Sequence, residues 1–234
     1  MLATLAATVT VLGGVALVLD GATRPPHGGP VMRTGTGPRP GATALPSSGP
    51  GTFSTGSAAA ATAGEGHQHI WRYMVQVEDG IGQEADEVAA EVARILADPR
   101  GWTADGKAGF RQVTSGAYDF AVQVASPGTV KQVCDLAGIK VTHDVNCQAG
   151  KDVMVSLTRW MLGSPQFPGP IQDYRALIIN HEVGHRLGHG HETCPGKGRP
   201  APAMMQQIDG LKGCRANAWP YDGRGRYISG PQVP

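Results

Sequence analysis

The chain has 234 residues, with 20 Lys plus Arg against 19 Asp plus Glu, a formal charge of +1 and only 17% charged residues. That balance excludes a polyanion binder working through bulk charge and gives no footprint for a nucleic-acid partner. With 34 Gly, 18 Pro and 6% aromatics, part of the chain cannot contribute to a core, and the aromatic residues mark the part that does.

Residues 2–19 carry no charge and are rich in Leu, Val and Ala. As a helix they span roughly 27 Å, close to the hydrocarbon thickness of a bilayer. Residues 1–20 therefore read as a secretory signal or an uncleaved membrane anchor. No Lys or Arg precedes the run, and Asp20-Gly21-Ala22 is a poor cleavage site, which favours the anchor. Either reading places the rest of the chain outside the cytoplasm, secreted or held at the membrane.

Of the 46 residues from 21 to 66, 37 are Gly, Ala, Pro, Ser or Thr, and Phe53 is the single aromatic. So little apolar surface does not offset the entropy of ordering, so the segment reads as a disordered linker. Residues 67–234 then form one domain, long enough for its own core.

Within that domain the periodicities predict an α+β fold. Trp71, Tyr73, Val75 and Val77 alternate with polar neighbours, as in a half-buried strand. Ala85, Val88, Val92, Ile95 and Leu96 lie on one helical stripe, which Pro99 and Gly101 end. Tyr118, Phe120, Val122 and Val124 alternate again, residues 127–137 suit a short helix, and Val153, Val155 and Leu157 give a further strand. After a Pro-rich loop at 163–170 comes a long helix with Tyr174, Leu177, Ile178, His181 and His185 on one face.

That helix carries the chemistry. Residues 181–191 read His-Glu-Val-Gly-His-Arg-Leu-Gly-His-Gly-His. His181 and His185, four apart, project from one face and can grip one ion. Glu182 sits about 100° around the helix, where it can reach a water beside that ion without displacing it. Gly188 can reverse the chain, so that His191 returns as third ligand. Three protein ligands leave a fourth position for water, the mark of a catalytic zinc. His189 competes for the third position but follows the glycine too closely, and Glu192 and Asp209, as carboxylate alternatives, are less well placed.

His181, Glu182, His185, Gly188 and His191 match the zinc motif of the metzincin clan of peptidases, which the chain resembles. Pro202-Ala203-Met204-Met205-Gln206 resembles the methionine turn of that clan and selects Met205. The stretch Trp71 to Tyr221 is also similar to an uncharacterised family of exported actinobacterial proteins described as zincin-like metallopeptidases. The resemblance implies a zincin-like fold, with a mixed twisted sheet, a backing helix and an active-site helix, and one catalytic Zn2+.

Four cysteines in an exported chain favour disulfides, and the expected pairs are Cys134–Cys147 and Cys194–Cys214. The expected function is an exported zinc-dependent endopeptidase acting on protein or peptide substrates. Glu182 is its general base, and Tyr221, Tyr227 and His189 are candidates for an oxyanion donor. The strand at 118–125 is the candidate edge for aligning an extended substrate. Two alternatives stay open: a zinc amidase acting on peptidoglycan stem peptides, and a non-catalytic envelope module that keeps zinc for stability.

Overall fold

The computed structural model describes residues 44–58, 62–140, 144 and 146–233. The hydrophobic segment and linker residues 21–43 lie outside these. Among the described residues, no helix is long and apolar enough to cross a membrane.

In chain order the elements are β1 (Phe53–Gly56), β2 (His69–Glu78), α1 (Ala85–Leu96), β3 (Ala108–Gln112), β4 (Phe120–Ala125), α2 (Pro127–Leu136), β5 (Cys147–Ala149), β6 (Asp152–Ser156), α3 (Leu157–Leu162) and α4 (Ile171–Arg186). A short 3₁₀ turn follows at Gln207–Asp209. The sheet is mixed: β2, β3, β4 and β6 pair in parallel, while β1 and β5 pair antiparallel. Its order is β1-β2-β4-β6-β5. β3 shares the β1 edge of β2, because Tyr73 accepts from Val113 while the next carbonyl back, Arg72, turns the other way to accept from Asp119 beside β4.

Period-2 alternation divides the sheet into two faces. Val75, Val77, Val122, Val124, Val153 and Val155 bury one face beneath α1 and α4, together with Tyr174, Ile179 and Val183. On the other face Gln123 donates to Gln76 at 2.8 Å. Further along that face α2 covers Met154, Ala125 and Ala149. The Cys134–Cys147 disulfide ties α2 to β5 there, and Cys194–Cys214 closes the loop that follows α4. Both expected pairings are present, and such crosslinks suit an oxidising, extracytoplasmic compartment.

Two expectations need correction. The linker does not run unstructured to Gly66, because residues 53–56 form β1 on the edge of β2. The small polar composition that reads as a tether is what lets this segment lie close. A Cβ on Gly56 would stand 2.0 Å from the Ala85 carbonyl oxygen. The Gly51 amide donates to the Glu78 carboxylate at 2.8 Å, and the Thr52 and Ser54 hydroxyls donate to Asp79 at 2.6 and 2.7 Å. The second correction concerns β4, which is paired on both sides, by β2 and β6, and so offers no free edge. The strand that ends the sheet beside α4 is β5.

Candidate metal centre

The site is built at the C-terminal end of α4. Gly188 adopts φ +93°. The Gly188 amide donates to the His185 carbonyl at 3.0 Å and the His189 amide to the Gly184 carbonyl at 2.9 Å, a Schellman arrangement in which an L side chain would be strained. The reversal carries His191 back over the last turn of the helix.

Nε2 of His185 stands 3.2 Å from Nε2 of His181 and 3.1 Å from Nε2 of His191. One ligand atom from each of the three lies within 4.8 Å of the others. Nδ1 of His181 donates to the Ala203 carbonyl at 2.8 Å, and Nδ1 of His185 donates to the His189 carbonyl at 2.9 Å. Because a carbonyl only accepts, each of these rings carries its proton on Nδ1 and turns a bare Nε2 inward. Two bare lone pairs at 3.2 Å repel one another unless a cation lies between them. Around a tetrahedral ion with metal–imidazole bonds of roughly 2.0–2.1 Å, donor nitrogens stand about 3.3 Å apart. Two of the three edges therefore have the spacing of a tetrahedral site, the His181–His191 edge lies within 4.8 Å, and the two helix histidines have the tautomer that suits a divalent metal ion.

Burial also keeps the donors neutral. It pushes the His181 imidazole down to about 3, with the neighbouring rings adding to the effect, and it lowers His185 and His191 as well. Neutral imidazole is the form that ligates.

Glu182 is buried, and burial pushes its carboxyl up to about 8. Among the described residues no donor bonds to this carboxylate. It lines two adjoining depressions. One, of ≈ 390 Å³, is walled by His181, His185, His191, Asn146, Gln148 and Gln206. The other, of ≈ 210 Å³, runs past Tyr174, Leu177, Ile178 and Met205. The Tyr174 hydroxyl is buried there without a partner among the described residues.

The remaining candidates separate. Met205 is buried in the wall of the second depression, while Met204 packs against Gly184, between the two helix histidines. Three oxyanion candidates are not at this face, which corrects the expectation. His189 stacks on Trp102 at 4.3 Å between ring centroids, because the turn at Gly188 sends its side chain away from the triad. Tyr227 donates its hydroxyl to Glu192 at 3.0 Å, and Tyr221 is hydrogen-bonded to Asp105. All three line a separate aromatic hollow with Trp71 and Trp102. Glu192 is no ligand either, since its carboxylate is filled by other donors.

Sequence reading missed Asn146, Gln148 and Gln206, which form the wall facing the histidines. The one available signal was Cys147, whose expected pairing with Cys134 singled out this stretch without placing it at the site. The Ala203 carbonyl and the Trp102 indole, which donates to the Asn180 carbonyl at 2.9 Å beneath the site, had no signal at all.

No curated relative and no solved structure matches the chain. A family model described as a protein of unknown function (DUF3152) matches residues 39–222, more than three quarters of the length. The matched span takes in β1 and the whole histidine cluster, and the chain belongs to the DUF3152 family.

Proposed function

We propose that this protein is an exported, zinc-dependent endopeptidase. The observation that carries the reading is the convergence of three neutral imidazoles beside a buried carboxylate to which, among the described residues, no donor bonds. A structural site would use all four ligand positions and would have no need of Glu182. His181, His185 and His191 would hold the ion. Zinc is the metal best suited to three imidazoles with a free position. When bound, it would supply Lewis acidity, lowering the pKa of a water, polarising a peptide carbonyl and drawing Glu182 back toward its ionised form.

The chain's own residues do the rest. Glu182 Oε accepts the proton of the attacking water and returns it to the leaving amine. The Ala203 and His189 carbonyls hold His181 and His185 in the Nδ1–H tautomer, so each ring presents a bare Nε2 to the ion. Among the described residues no strand pairs with the outer edge of β5, beside Asn146 and Gln148, and that edge can align an extended peptide backbone. The ≈ 210 Å³ depression next to Glu182 accepts one side chain of that peptide. A polypeptide substrate suits a strand-edge cleft better than a single short stem peptide does, and this favours an endopeptidase over a wall amidase. The disulfides and the charge-free segment at residues 2–19 support action outside the cytoplasm, with the membrane as a partner if that segment is retained.

The test is hydrolysis of an unstructured protein such as casein, and of purified sacculi, by the zinc-loaded protein and by Glu182→Ala. The reading expects wild-type cleavage of casein and loss of that cleavage in the variant with zinc still bound. Cleavage of sacculi alone contradicts it, as does stoichiometric zinc without hydrolysis of either substrate.

A further inference from the structure

We propose that the C-terminal segment from Tyr227 to Val233 is a strap that positions the third metal ligand, acting through Glu192. The proposal rests on the metal-centre reading above and concerns how His191 is held.

The three histidines are not held alike. His181 and His185 sit in a helix, each with Nδ1 bonded to a carbonyl. His191 lies outside any helix, and among the described residues no acceptor anchors its Nδ1. Its place is therefore set by the backbone that carries it.

That backbone is clamped on both sides. Glu192 bridges to Met205 on one side and to Gln232 on the other. On the inner side the Glu192 amide donates to the Met204 carbonyl at 3.0 Å. On the outer side the Val233 amide donates to the His191 carbonyl at 3.0 Å, and the Thr193 amide donates to the Pro231 carbonyl at 2.9 Å. The strap is in turn locked by the Glu192 side chain, which is 4% exposed. One of its carboxylate oxygens accepts from the Tyr227 hydroxyl at 3.0 Å and from Gln232 Nε2 at 3.2 Å. The other accepts from the Gly230 amide at 2.8 Å. Three donors from one segment converge on one buried carboxylate, so the residue after the ligand is where the strap is fastened. The closeness depends on Gly230, where a Cβ would stand 1.9 Å from the Thr193 carbonyl oxygen.

Glu192 is accordingly a positioning residue, and its loss frees the His191 backbone from its outer support. Partners that orient a metal ligand typically change metal affinity by roughly 10- to 100-fold. Glu192→Ala and Gly230→Ala are expected to weaken zinc binding within that range, read by chelator competition at a temperature where the metal-free variants remain folded. Glu192→Gln keeps one acceptor oxygen and loses less. Cobalt(II) substitution reports the same change as an altered visible spectrum, since a donor nitrogen is held less firmly. The strap acts through His191, so adding Glu192→Ala to His191→Ala costs no further affinity, whereas a general structural role predicts independent losses. Should Glu192→Ala fail to fold, Gln232→Ala removes a single donor and is expected to cost a smaller, measurable part of the affinity. Folded variants with wild-type zinc affinity, or losses that add to that of His191→Ala, overturn the strap alone. A wild-type protein that binds no zinc overturns the metal reading and the strap together.

Discussion

Glu182 and His181 are neighbours whose protonation is driven in opposite senses by the same burial. His181 stays neutral down to about 3 in the fold, while in the unfolded chain it takes up a proton near its ordinary 6.5. Between those values the unfolded state binds the extra proton, so the stability this group contributes to the metal-free protein falls as pH falls below 6.5. The slope from this one group is up to about 1.4 kcal/mol per pH unit. Glu182, protonated in the fold up to about 8 but ionised above about 4.5 in the unfolded chain, contributes the opposite slope over this range. Denaturant unfolding of metal-free Glu182→Gln at pH 7, 6 and 5 therefore isolates the histidine contribution, and a flat profile in that variant contradicts it. His181→Ala removes this contribution along with a metal ligand. At Glu182 the change to Gln keeps the volume and removes the base, and the expected outcome is a fall in peptide hydrolysis of roughly 10²- to 10⁴-fold with zinc content unchanged. The spacing that places these residues was legible in the sequence, because four residues is one turn of helix and a glycine is the usual end of one. Their partners were not legible, because Ala203 and His189 act through backbone carbonyls, which every residue carries.

Helix α4 is wedged in place where Gly184 passes Met204 and Trp102. A Cβ there would lie 2.3 Å from Met204 Sδ and 2.7 Å from Trp102 Cζ2. Gly184→Ala therefore overpacks the space behind the two helix histidines, at a cost of about 1–3 kcal/mol in unfolding free energy. Zinc affinity falls with it as the helix shifts, and thermal unfolding with and without metal reads both effects. An unchanged melting temperature contradicts the packing. Elements with strong periodicity were legible: β2, α1, β4, α2, β6 and α4 all fall where alternation or a helical stripe predicts them, within a few residues. Leu157 continues the alternation of β6 yet opens α3, since a single apolar residue fits either period. β1 was illegible because close approach and not apolar surface fixes it, and β3 because Phe110 is its one large buried side chain and sets no period. In β3, a Cβ on Gly109 would stand 2.5 Å from Ile70 Cδ1. Short, Gly-bearing strands on a shared edge leave little pattern to read.

At the scale of the molecule, the folded unit begins well before His67. The segment from Leu45 onward is fastened to β2, to α2 through the Gly128 amide and the Ser47 carbonyl at 2.9 Å, and to Glu78. A chain starting at His67 leaves the buried Glu78 carboxylate without its Gly51 donor and exposes the edge of β2. It is expected to unfold at lower denaturant than a chain starting at Thr43, by about 1–3 kcal/mol for the lost donor alone. Equal midpoints contradict the assignment of β1 to the domain. Composition misled here because a tether and a tightly applied strand draw on the same small residues, whereas the cysteine pairing was legible because so few arrangements were open. Both disulfides border the site: Cys147 lies in the wall facing the histidines, and Cys194–Cys214 brackets the turn that supplies Ala203.

The metal content of the purified protein, with His181, His185 and His191 each changed to Ala, tests the central claim most directly. Elemental analysis is expected to give one zinc per wild-type chain and a clear loss in each of the three variants. Full zinc retained after His191→Ala would contradict the account, because the ion would then be held by other groups.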